Sequence, residues 1–517
     1  MLQKASDFFN NPSIIYKRII DYVSLMFDRL ESFVIDKRVL IFLISLSFFM
    51  RICTLFNPFI WSDSIDYINL GQNIWENRTF SLDYRTHYFD GGLDIPHESY
   101  QRAPFYSILI SPIASFDNLV LINLVNILIF YLFIYYYYSL IKDIFSYNIS
   151  VLSTLLLCFH PIFFEISVLP SSEPLFLLLS ILSLKIFFSD DQWRISKVGI
   201  LLGLAYLTRP ISLIFLLSIT LFLFLNRKKK ILKLWLFFIL AISPWLIRNY
   251  LVFNDPFYSS YNFQNDFASY HNFYHYYSGP IESPTFFERV YYSIDAFWDY
   301  SKLMPGMGGL LLLFPFTIIF CCTAFWPVNK KFILNSIVTS NLVLMSISYS
   351  TTHGVRFLIP TILFAIPFSI DILSKIRVDV PNFSRYKFLI IIFCLICWSV
   401  QDTLLINNNN ANTKSLGDLE ITLENKNIVC DREEYLYYYT EFGSYHLPDL
   451  DSKDFMIYLN DINADYILLM GNSGYNSEII NKLYASDARI DEEGVIFILE
   501  SDTKDYKLYS LNYQEVN

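Results

Sequence analysis

Two aspartates in the stretch FIWSDSIDYINLGQNIW (59–75) are the first residues of the chain whose types and spacing could do chemistry. Asp63 and Asp66 are three residues apart, so on a helix they share one face, which Tyr67 also joins. A carboxylate beside a membrane could take a proton from an acceptor hydroxyl during group transfer, which makes Asp63 and Asp66 candidate catalytic residues. A structural alternative is that Ser62 caps the helix and the acids complement its dipole.

Four arginines lie where apolar runs begin or end, in four separate segments of the chain. They are Arg102 in YQRAPFYSILISPI, Arg209 in GLAYLTRPISL, Arg248 in SPWLIRNYLVFNDPF and Arg356 in TTHGVRFLIP. An arginine within a span costs roughly 2.5 to 3.5 kcal/mol on insertion scales, so such residues mark cavities or interfaces. A guanidinium fork fits a phosphate at the level of the lipid headgroups, and all four are therefore predicted to bind a donor phosphate. For each arginine, the alternative is snorkelling to the membrane surface.

Three further polar residues are predicted to line the same substrate cavity. Tyr67 follows the two aspartates, Glu173 begins an apolar run in SVLPSSEPLFLLLSIL, and His353 lies shortly before Arg356. In the topology derived below, each of them falls at the outer edge of the membrane.

The elements that must position these side chains are membrane helices. Of the 517 residues, 54% are hydrophobic and the mean hydropathy is +0.38, with apolar runs of about twenty residues between short charged segments. The predicted spans are 39–56, 119–141, 149–169, 173–188, 198–208, 211–225, 232–250, 306–326, 332–350, 357–374 and 388–405. The predicted fold class is an all-α polytopic membrane domain (39–405) of about 11 to 13 transmembrane helices, followed by a small α/β domain.

The distribution of Lys and Arg orients these helices. If the juxtamembrane segment 1–38 is cytoplasmic and the short run 103–116 is re-entrant, every strongly basic loop falls on the cytoplasmic side. The regions 57–118 and 251–305 then form the outer loops. The sequence therefore predicts a multi-pass protein of the plasma (inner) membrane, with its functional surface on the extracytoplasmic side.

Residues 406–517 differ in character from the rest of the chain. They carry 21 acidic and 8 basic residues, which argues against nucleic acid as a partner. The stretch NNNNAN (407–412) is predicted to be a linker, and the runs NIVC, DYILLM and GVIFILES predict strands that alternate with helix-like stretches. This pattern is typical of a small α/β domain, placed outside the membrane by the topology above.

The sequence predicts no cofactor and no metal. It contains neither a G-x-G-x-x-G motif nor a P-loop, so a nucleotide sugar is not expected as donor. His271 and His275 have a spacing that would suit a metal on a helix. Their segment, YHNFYHYY, has no obvious acidic ligand and is more typical of an aromatic-rich outer loop.

Taken in order, the polar segments resemble the GT-C class of integral-membrane glycosyltransferases, in the branch that contains protein O-mannosyltransferases and the lipid A aminoarabinose transferase. The matching segments, within residues 39–374, are SDSIDYINLGQNI, RAPFYSILISP, HPIFFEISVLPSSEPLF, GLAYLTRP, PWLIRNY and RFLIP. The chain departs from the family in two places. It has Asp63-Ser64 where many members have an Asp-Glu pair, and Ala103-Pro104 where they have two prolines.

The resemblance implies a sugar donor carried on undecaprenyl or dolichyl phosphate, which enters from the lipids of the membrane. It also implies that a hexosyl or pentosyl group passes to a lipid, glycan or protein acceptor on the extracytoplasmic face. In that scheme Asp63 is the base and Arg102 meets the donor phosphate. The alternative functions are a transporter or flippase of lipid-linked sugars, whose usual inverted repeats are not visible here, and a polymerase or ligase acting on diphosphate-linked glycans.

Overall fold

The computed structural model describes residues 37–56, 58, 60–86, 92–116, 118–226, 230–258, 329–347, 355–375, 426–470, 477–485, 489–503 and 506–513. The first twelve helices in this part of the chain are α1 (Lys37–Thr54), α2 (Ser62–Glu76), α3 (Pro104–Ala114), α4 (Leu119–Lys142), α5 (Tyr147–Phe159), α6 (Pro161–Val168), α7 (Glu173–Phe187), α8 (Arg194–Tyr206), α9 (Leu213–Asn226), α10 (Lys230–Phe253), α11 (Lys330–Ile347) and α12 (Ile359–Lys375). A 3₁₀ turn precedes α9 (Pro210–Ser212) and another precedes α12 (Val355–Leu358).

The predicted spans that lie within the described residues are helical. The run 149–169, predicted as one span, consists of two helices, α5 and α6, which are bent by 59°. By length and hydropathy, α4 and α10 could each cross a membrane, and the pair α5 and α6 could form a third span. The number of spans stays a prediction. Segment 1–36, the runs 306–326 and 388–405, and most of the outer loop 251–305 lie outside the described residues.

The bend between α5 and α6 has a clear physical cause. Pro161 begins α6 and has no backbone N–H, and the Ile162 N–H donates to His160 Nδ1 instead of to the carbonyl four residues earlier. That carbonyl, of Cys158, accepts a hydrogen bond from Arg51 Nη1 at 3.0 Å. A side chain of α1 therefore replaces a hydrogen bond that the broken helix has lost.

Arg51 is fully buried among the helices. Its Nε donates to Ser167 Oγ and its Nη1 to Ser47 Oγ, both at 2.6 Å, and its guanidinium lies 4.6 Å from the centre of the Phe130 ring. Burial of an arginine is tolerated only when its donors are satisfied in this way. Arg51 thus ties α1 to both halves of the bent pair.

Close packing of α8 against α10 depends on two glycines. A Cβ atom at Gly199 would lie 2.6 Å from the Leu234 carbonyl oxygen, and one at Gly203 would lie 2.5 Å from Ala241 Cβ. The α10 backbone therefore approaches α8 as closely as glycine allows. This contact fixes the C-terminal end of α8, from which the chain runs on to Arg209.

The region after α2 forms a small hairpin, β1 (Ser81–Leu82) and β2 (His97–Glu98), paired antiparallel. The C-terminal domain contains β3 (Ile428–Cys430), α13 (Glu433–Thr440), β4 (Ser444–His446), α14 (Ser452–Asp461), β5 (Tyr466–Leu469), α15 (Glu478–Ala485), β6 (Arg489–Glu492), β7 (Val495–Asp502) and β8 (Lys507–Tyr513). Its sheet has the order β4-β3-β5-β8-β7-β6, with parallel pairing among β4, β3 and β5 and antiparallel pairing elsewhere. This confirms the predicted helical fold with a small C-terminal α/β domain.

The segment that follows α2 contacts the edge of this sheet. The Arg85 N–H donates to the Ser444 carbonyl at 2.8 Å, so the loop adds a single bridge beside β4. A Cβ atom at Gly443 would lie 3.1 Å from the Asp83 carbonyl oxygen, which leaves little room for a side chain there. The C-terminal domain is thus held against the segment that follows α2.

We expect Gly199→Ala to destabilise the helical domain by about 1 to 3 kcal/mol, because the added methyl group meets backbone atoms of α10 that cannot move independently. Thermal unfolding of the detergent-solubilised protein would measure this. Ser196→Ala, on the same helix, is the matched control, since the buried Ser196 hydroxyl has no hydrogen-bond partner among the described residues. Equal melting temperatures for the two variants would contradict the tight packing at Gly199.

Candidate active site

The aspartates of the sequence motif lie at the start of α2. Trp61, in an extended conformation, occupies the position before the helix and makes no side-chain cap. The expectation that Ser62 caps this helix is therefore wrong. Ser62 is the first helical residue, and its hydroxyl donates instead to the Glu434 carboxylate of α13 at 2.9 Å. Asp63 is in the first turn, where its charge also complements the helix dipole.

The Asp63 carboxylate lies between two arginines from distant parts of the chain. Arg102 Nη2 is 2.5 Å from Asp63 Oδ1, and Arg356 Nη2 is 2.5 Å from Asp63 Oδ2. The Asp63 side chain is 23% exposed, so its carboxylate is reachable from solvent. One carboxylate therefore joins α2, the residues before α3 and the turn before α12.

Asp66 lies deeper on the same face of α2 and is 2% exposed. Its Oδ2 accepts from Arg102 Nε at 2.7 Å, and its Oδ1 accepts from the Tyr84 hydroxyl at 2.5 Å. Arg102 is thus held by both aspartates, while Asp66 has both oxygens in use. Asp66 orients Arg102 and is poorly placed to meet a substrate.

Glu173 and Arg209 form the second ion pair of the site, with Arg209 Nη1 2.6 Å from Glu173 Oε1. Arg209 Nη1 also donates to Ser172 Oγ at 3.2 Å, and Ser172 Oγ is 2.8 Å from the Tyr67 hydroxyl. The Tyr67 ring lies under Arg102, with the guanidinium 5.7 Å from its centre. Tyr67 therefore links the two groups of charged residues.

Aromatic rings surround the guanidinium groups of Arg209 and Arg356. Both lie over the ring of Phe357, at 5.6 Å and 5.5 Å from its centre, and Arg356 is also 5.8 Å from the centre of Trp61. Such contacts restrict guanidinium groups without neutralising them. The two arginines therefore keep their positive charge beside these rings.

The structure does not join Arg248 to this cluster through any contact of the described residues. Arg248 pairs with Glu98, donates to the Ser99 carbonyl at 2.9 Å and lies 4.9 Å from the centre of the Trp245 ring. It fastens the end of α10 to the β2 segment. Of the other predicted residues, His353 lies outside the described residues, as do His271 and His275.

The electrostatic setting differs between the two aspartates. Burial alone would raise the pKa of Asp63, but Arg102, Arg356 and Arg209 outweigh it and hold that pKa well below its usual range. For Asp66, burial is the largest influence and, together with the charge of Asp63, it raises the pKa despite Arg102 and Tyr84. Asp63 is therefore the carboxylate that stays ionised at all physiological pH values.

The C-terminal domain contributes to the rim of the site through α13. The Tyr437 hydroxyl donates to Asp83 Oδ2 at 3.0 Å and accepts from Asn69 Nδ2, a side chain of α2, at 2.9 Å. Burial raises the pKa of Glu434 to about 8, and the carboxylates of Glu433 and Asp66 add to the effect. Glu434 is thus largely protonated at neutral pH.

Sequence reasoning missed several residues of this network. Arg51 could have been found, since a charged residue within an apolar run is costly and so needs partners. Tyr84 and Glu434 carry no such signal, because they come close to α2 only through long-range folding. Ser172 lies inside a segment that the sequence analysis did single out, but nothing in its spacing indicated a contact with Tyr67.

Known proteins are similar to this chain in sequence over part of its length and in fold over most of it. A family model described as dolichyl-phosphate-mannose-protein mannosyltransferase matches residues 101–248. No curated protein sequence matches the chain significantly. The fold is similar to that of ArnT from Cupriavidus metallidurans bound to undecaprenyl phosphate, with a TM-score of 0.58 and 10% identity over 91% of this chain and 97% of that chain.

Two more solved structures are similar. ArnT from Cupriavidus metallidurans in the apo state has a TM-score of 0.55 and 9% identity, with the same coverage. The apo oligosaccharyltransferase of Archaeoglobus fulgidus has a TM-score of 0.50 and 12% identity over 84% of this chain and 70% of that chain. The ArnT likeness confirms the GT-C fold that the sequence resemblance implied.

Glu173→Gln is expected to destabilise the protein by on the order of 3 kcal/mol, because Glu173 is 4% exposed and its loss leaves the Arg209 charge without its nearest counter-ion. Glu98→Gln is the matched control. Glu98 is 44% exposed, and Arg248 keeps two backbone carbonyl acceptors without it, so the cost should stay below about 1 kcal/mol. Thermal unfolding in detergent would compare them, and an equal loss in both variants would contradict this ranking.

The raised pKa of Glu434 predicts a pH effect on stability between pH 7 and 8. In this window the folded protein keeps a proton on Glu434 that the unfolded chain, with its ordinary pKa of 4.5, has already lost. Stability should therefore fall as the pH rises towards 8. Glu434→Gln, which has no proton to lose, should flatten this part of the melting-temperature profile. The same slope in both proteins would contradict the assignment.

Proposed function

We propose that this GT-C-fold protein is a glycosyltransferase that moves a sugar from a polyprenyl-phosphate donor to an acceptor hydroxyl on the extracytoplasmic face of the membrane. The observation that supports this most directly is the position of Asp63, a solvent-accessible carboxylate at the start of a helix outside the spans, held by Arg102 and Arg356. ArnT, whose fold the chain shares, was solved with undecaprenyl phosphate bound. Because a shared fold does not identify the substrate, the proposed function depends on the geometry of the site.

The reaction needs few chemical groups. The acceptor oxygen attacks the anomeric carbon of the donor sugar, the bond from that carbon to the phosphate oxygen breaks, and polyprenyl phosphate leaves with the bonding electrons. Asp63 takes the proton of the acceptor hydroxyl. Arg102, Arg209 and Arg356 stabilise the negative charge of the departing phosphate, which requires no bound metal in this scheme.

The individual roles follow from the contacts. Asp63 is the base, because it is the exposed carboxylate of the pair. Asp66 acts as a positioning residue for Arg102, and Glu173 does the same for Arg209. Tyr67 lines the cavity between the two ion pairs. Arg248 supports the outer loop through Glu98 and does not meet the phosphate.

The transferred group, the acceptor and the membrane orientation are also proposals. The transferred group is a hexose or pentose, and the acceptor is a lipid, glycan or protein. The protein lies in the plasma (inner) membrane with a cytoplasmic N-terminus and an extracytoplasmic C-terminal domain, the orientation that the basic loops favour.

Asp63→Asn should lower the turnover number by about 10² to 10⁴-fold, the usual contribution of a general base. The assay would supply radiolabelled undecaprenyl-phosphate mannose and arabinose to purified protein, with membranes from a deletion strain as the acceptor. Extraction with organic solvent and digestion with protease would then separate lipid, glycan and protein products. Glu98→Gln, outside the site, should retain full activity.

The same variant also tests the role of the arginines. Asp63→Asn frees two guanidinium groups from a competing carboxylate, so binding of undecaprenyl phosphate alone should be unchanged or tighter. Turnover close to the wild-type value would eliminate Asp63 as the base. Movement of intact donor across proteoliposome membranes without covalent transfer would instead indicate a transporter.

A further inference from the structure

We propose that Glu434, a residue of the C-terminal domain, binds the acceptor hydroxyl group beside Asp63 and so completes the active site. This inference rests on the proposed function and goes beyond it, because it assigns part of acceptor recognition to a separate domain. Neither the motifs of the helical domain nor the family match over residues 101–248 includes this position.

The first supporting observation is direct contact. Glu434 Oε1 accepts a hydrogen bond from Ser62 Oγ at 2.9 Å, and Ser62 is the chain neighbour of Asp63. Consecutive Cα atoms are about 3.8 Å apart, so the Glu434 carboxyl group is held next to the residue that bears the base. Glu434 is also close enough to Asp66 for the two carboxyl groups to influence each other, so it borders the aspartates of α2.

The second observation is that the surrounding contacts fix α13 in this place. Tyr437 is bonded to Asp83 and Asn69, and its ring centre lies 5.3 Å from that of Tyr84. The backbone bridge from Arg85 to Ser444 anchors the strand that follows α13. Glu434 is thus presented by a helix that is docked on α2, and not by a free loop.

The third observation concerns the free bonding capacity of the carboxyl group. Among the described residues, Ser62 is the one side-chain partner of Glu434, and the bond uses Oε1. The carboxyl group also accepts a hydrogen bond from the Glu434 backbone, and its two oxygens have lone pairs for more than these two bonds. Asp63 and Asp66, by contrast, are occupied by arginines on both of their oxygens or by an arginine and a tyrosine.

The chemistry of a protonated carboxyl group suits this position. Burial and the neighbouring acids Glu433 and Asp66 favour the neutral form of Glu434, and the Tyr84 phenol and His446 imidazole also face it. A neutral carboxyl group can donate one hydrogen bond and accept another, as a sugar or amino-acid hydroxyl requires. It also adds no negative charge that would repel the donor phosphate.

The site has a donor side and an acceptor side, and in this proposal the C-terminal domain serves the acceptor side. The donor is a lipid and approaches from the bilayer, and Arg102, Arg209 and Arg356 bind its phosphate. In the proposed arrangement, the acceptor approaches Asp63 from the side of the C-terminal domain, whose Glu434 contacts the neighbouring Ser62. A carboxyl group from that domain therefore meets the acceptor and not the donor.

Glu434→Ala tests this proposal, because it removes the carboxyl group that would bond the acceptor hydroxyl. We expect the concentration of deletion-strain membranes that gives half-maximal transfer to rise about tenfold, the effect of one lost hydrogen bond, while the Kd for undecaprenyl phosphate stays the same. Ser62→Ala should shift acceptor use in the same direction by a smaller factor. Glu478→Gln, an exposed acid of the same domain, is the control and should change neither quantity.

A pH series separates this role from a purely structural one. In the wild type, the half-saturating acceptor concentration should change as Glu434 titrates around pH 8, and in Glu434→Gln that change should be absent. An unaltered acceptor requirement in Glu434→Ala, together with an unaltered pH dependence in Glu434→Gln and an active wild type, would overturn the role of Glu434 and leave the proposed function intact. A wild type that transfers no sugar from any donor tested would overturn both.

Discussion

The site is organised by one carboxylate shared between two guanidinium groups. Asp63 brings Arg102 and Arg356 together although these residues come from opposite ends of the helical domain. Arg102, Arg209 and Arg356 would repel one another at this separation. Three carboxylates, those of Asp63, Asp66 and Glu173, lie among them and offset the repulsion. The cluster is therefore electrically balanced, and its members hold one another in place.

This balance has a consequence for the donor. A phosphodiester brings one negative charge into a group whose charges already cancel, so it must take over hydrogen bonds that a carboxylate holds. Asp63 is the most exposed of the three acids, and both of its oxygens are paired with arginines. In the proposed reaction, transfer of a guanidinium from Asp63 to the donor phosphate would release that carboxylate and raise its pKa, so that donor binding would prepare the base.

Much of this arrangement could be predicted from the sequence, and the limits have physical causes. The hydropathy pattern placed α1, α4, α7 and α10 closely, since long apolar runs admit few alternatives in a membrane. It did not reveal the break within 149–169, where Pro161 interrupts the helix and Arg51 binds the freed carbonyl. The sequence also indicated Asp63, Arg102, Glu173 and Arg209 as neighbours. Charged side chains at the ends of spans on one side of a membrane are confined to the same level, so they are expected to cluster.

The sequence did not predict which side chains from distant segments of the chain contact one another. Its place at the end of an apolar run grouped Arg248 with the other arginines, yet Glu98 and Phe80 hold it against the segment between α2 and α3. Ser62 has the residue type of a helix cap, but its hydroxyl bonds to Glu434 instead. For Ser62, a capping preference of less than about 2 kcal/mol was outweighed by this long-range contact.

The contact of Arg85 and Gly443 with the rim of the sheet bears on how the C-terminal domain behaves alone. β4 is the outermost strand on its side, and unpaired strand edges promote association between molecules. In the whole chain, the segment after α2 shields that border with its own backbone. A fragment cut away from the helices would lose this shield and become prone to aggregation, so the domain is better regarded as a tethered lobe than as an independent module.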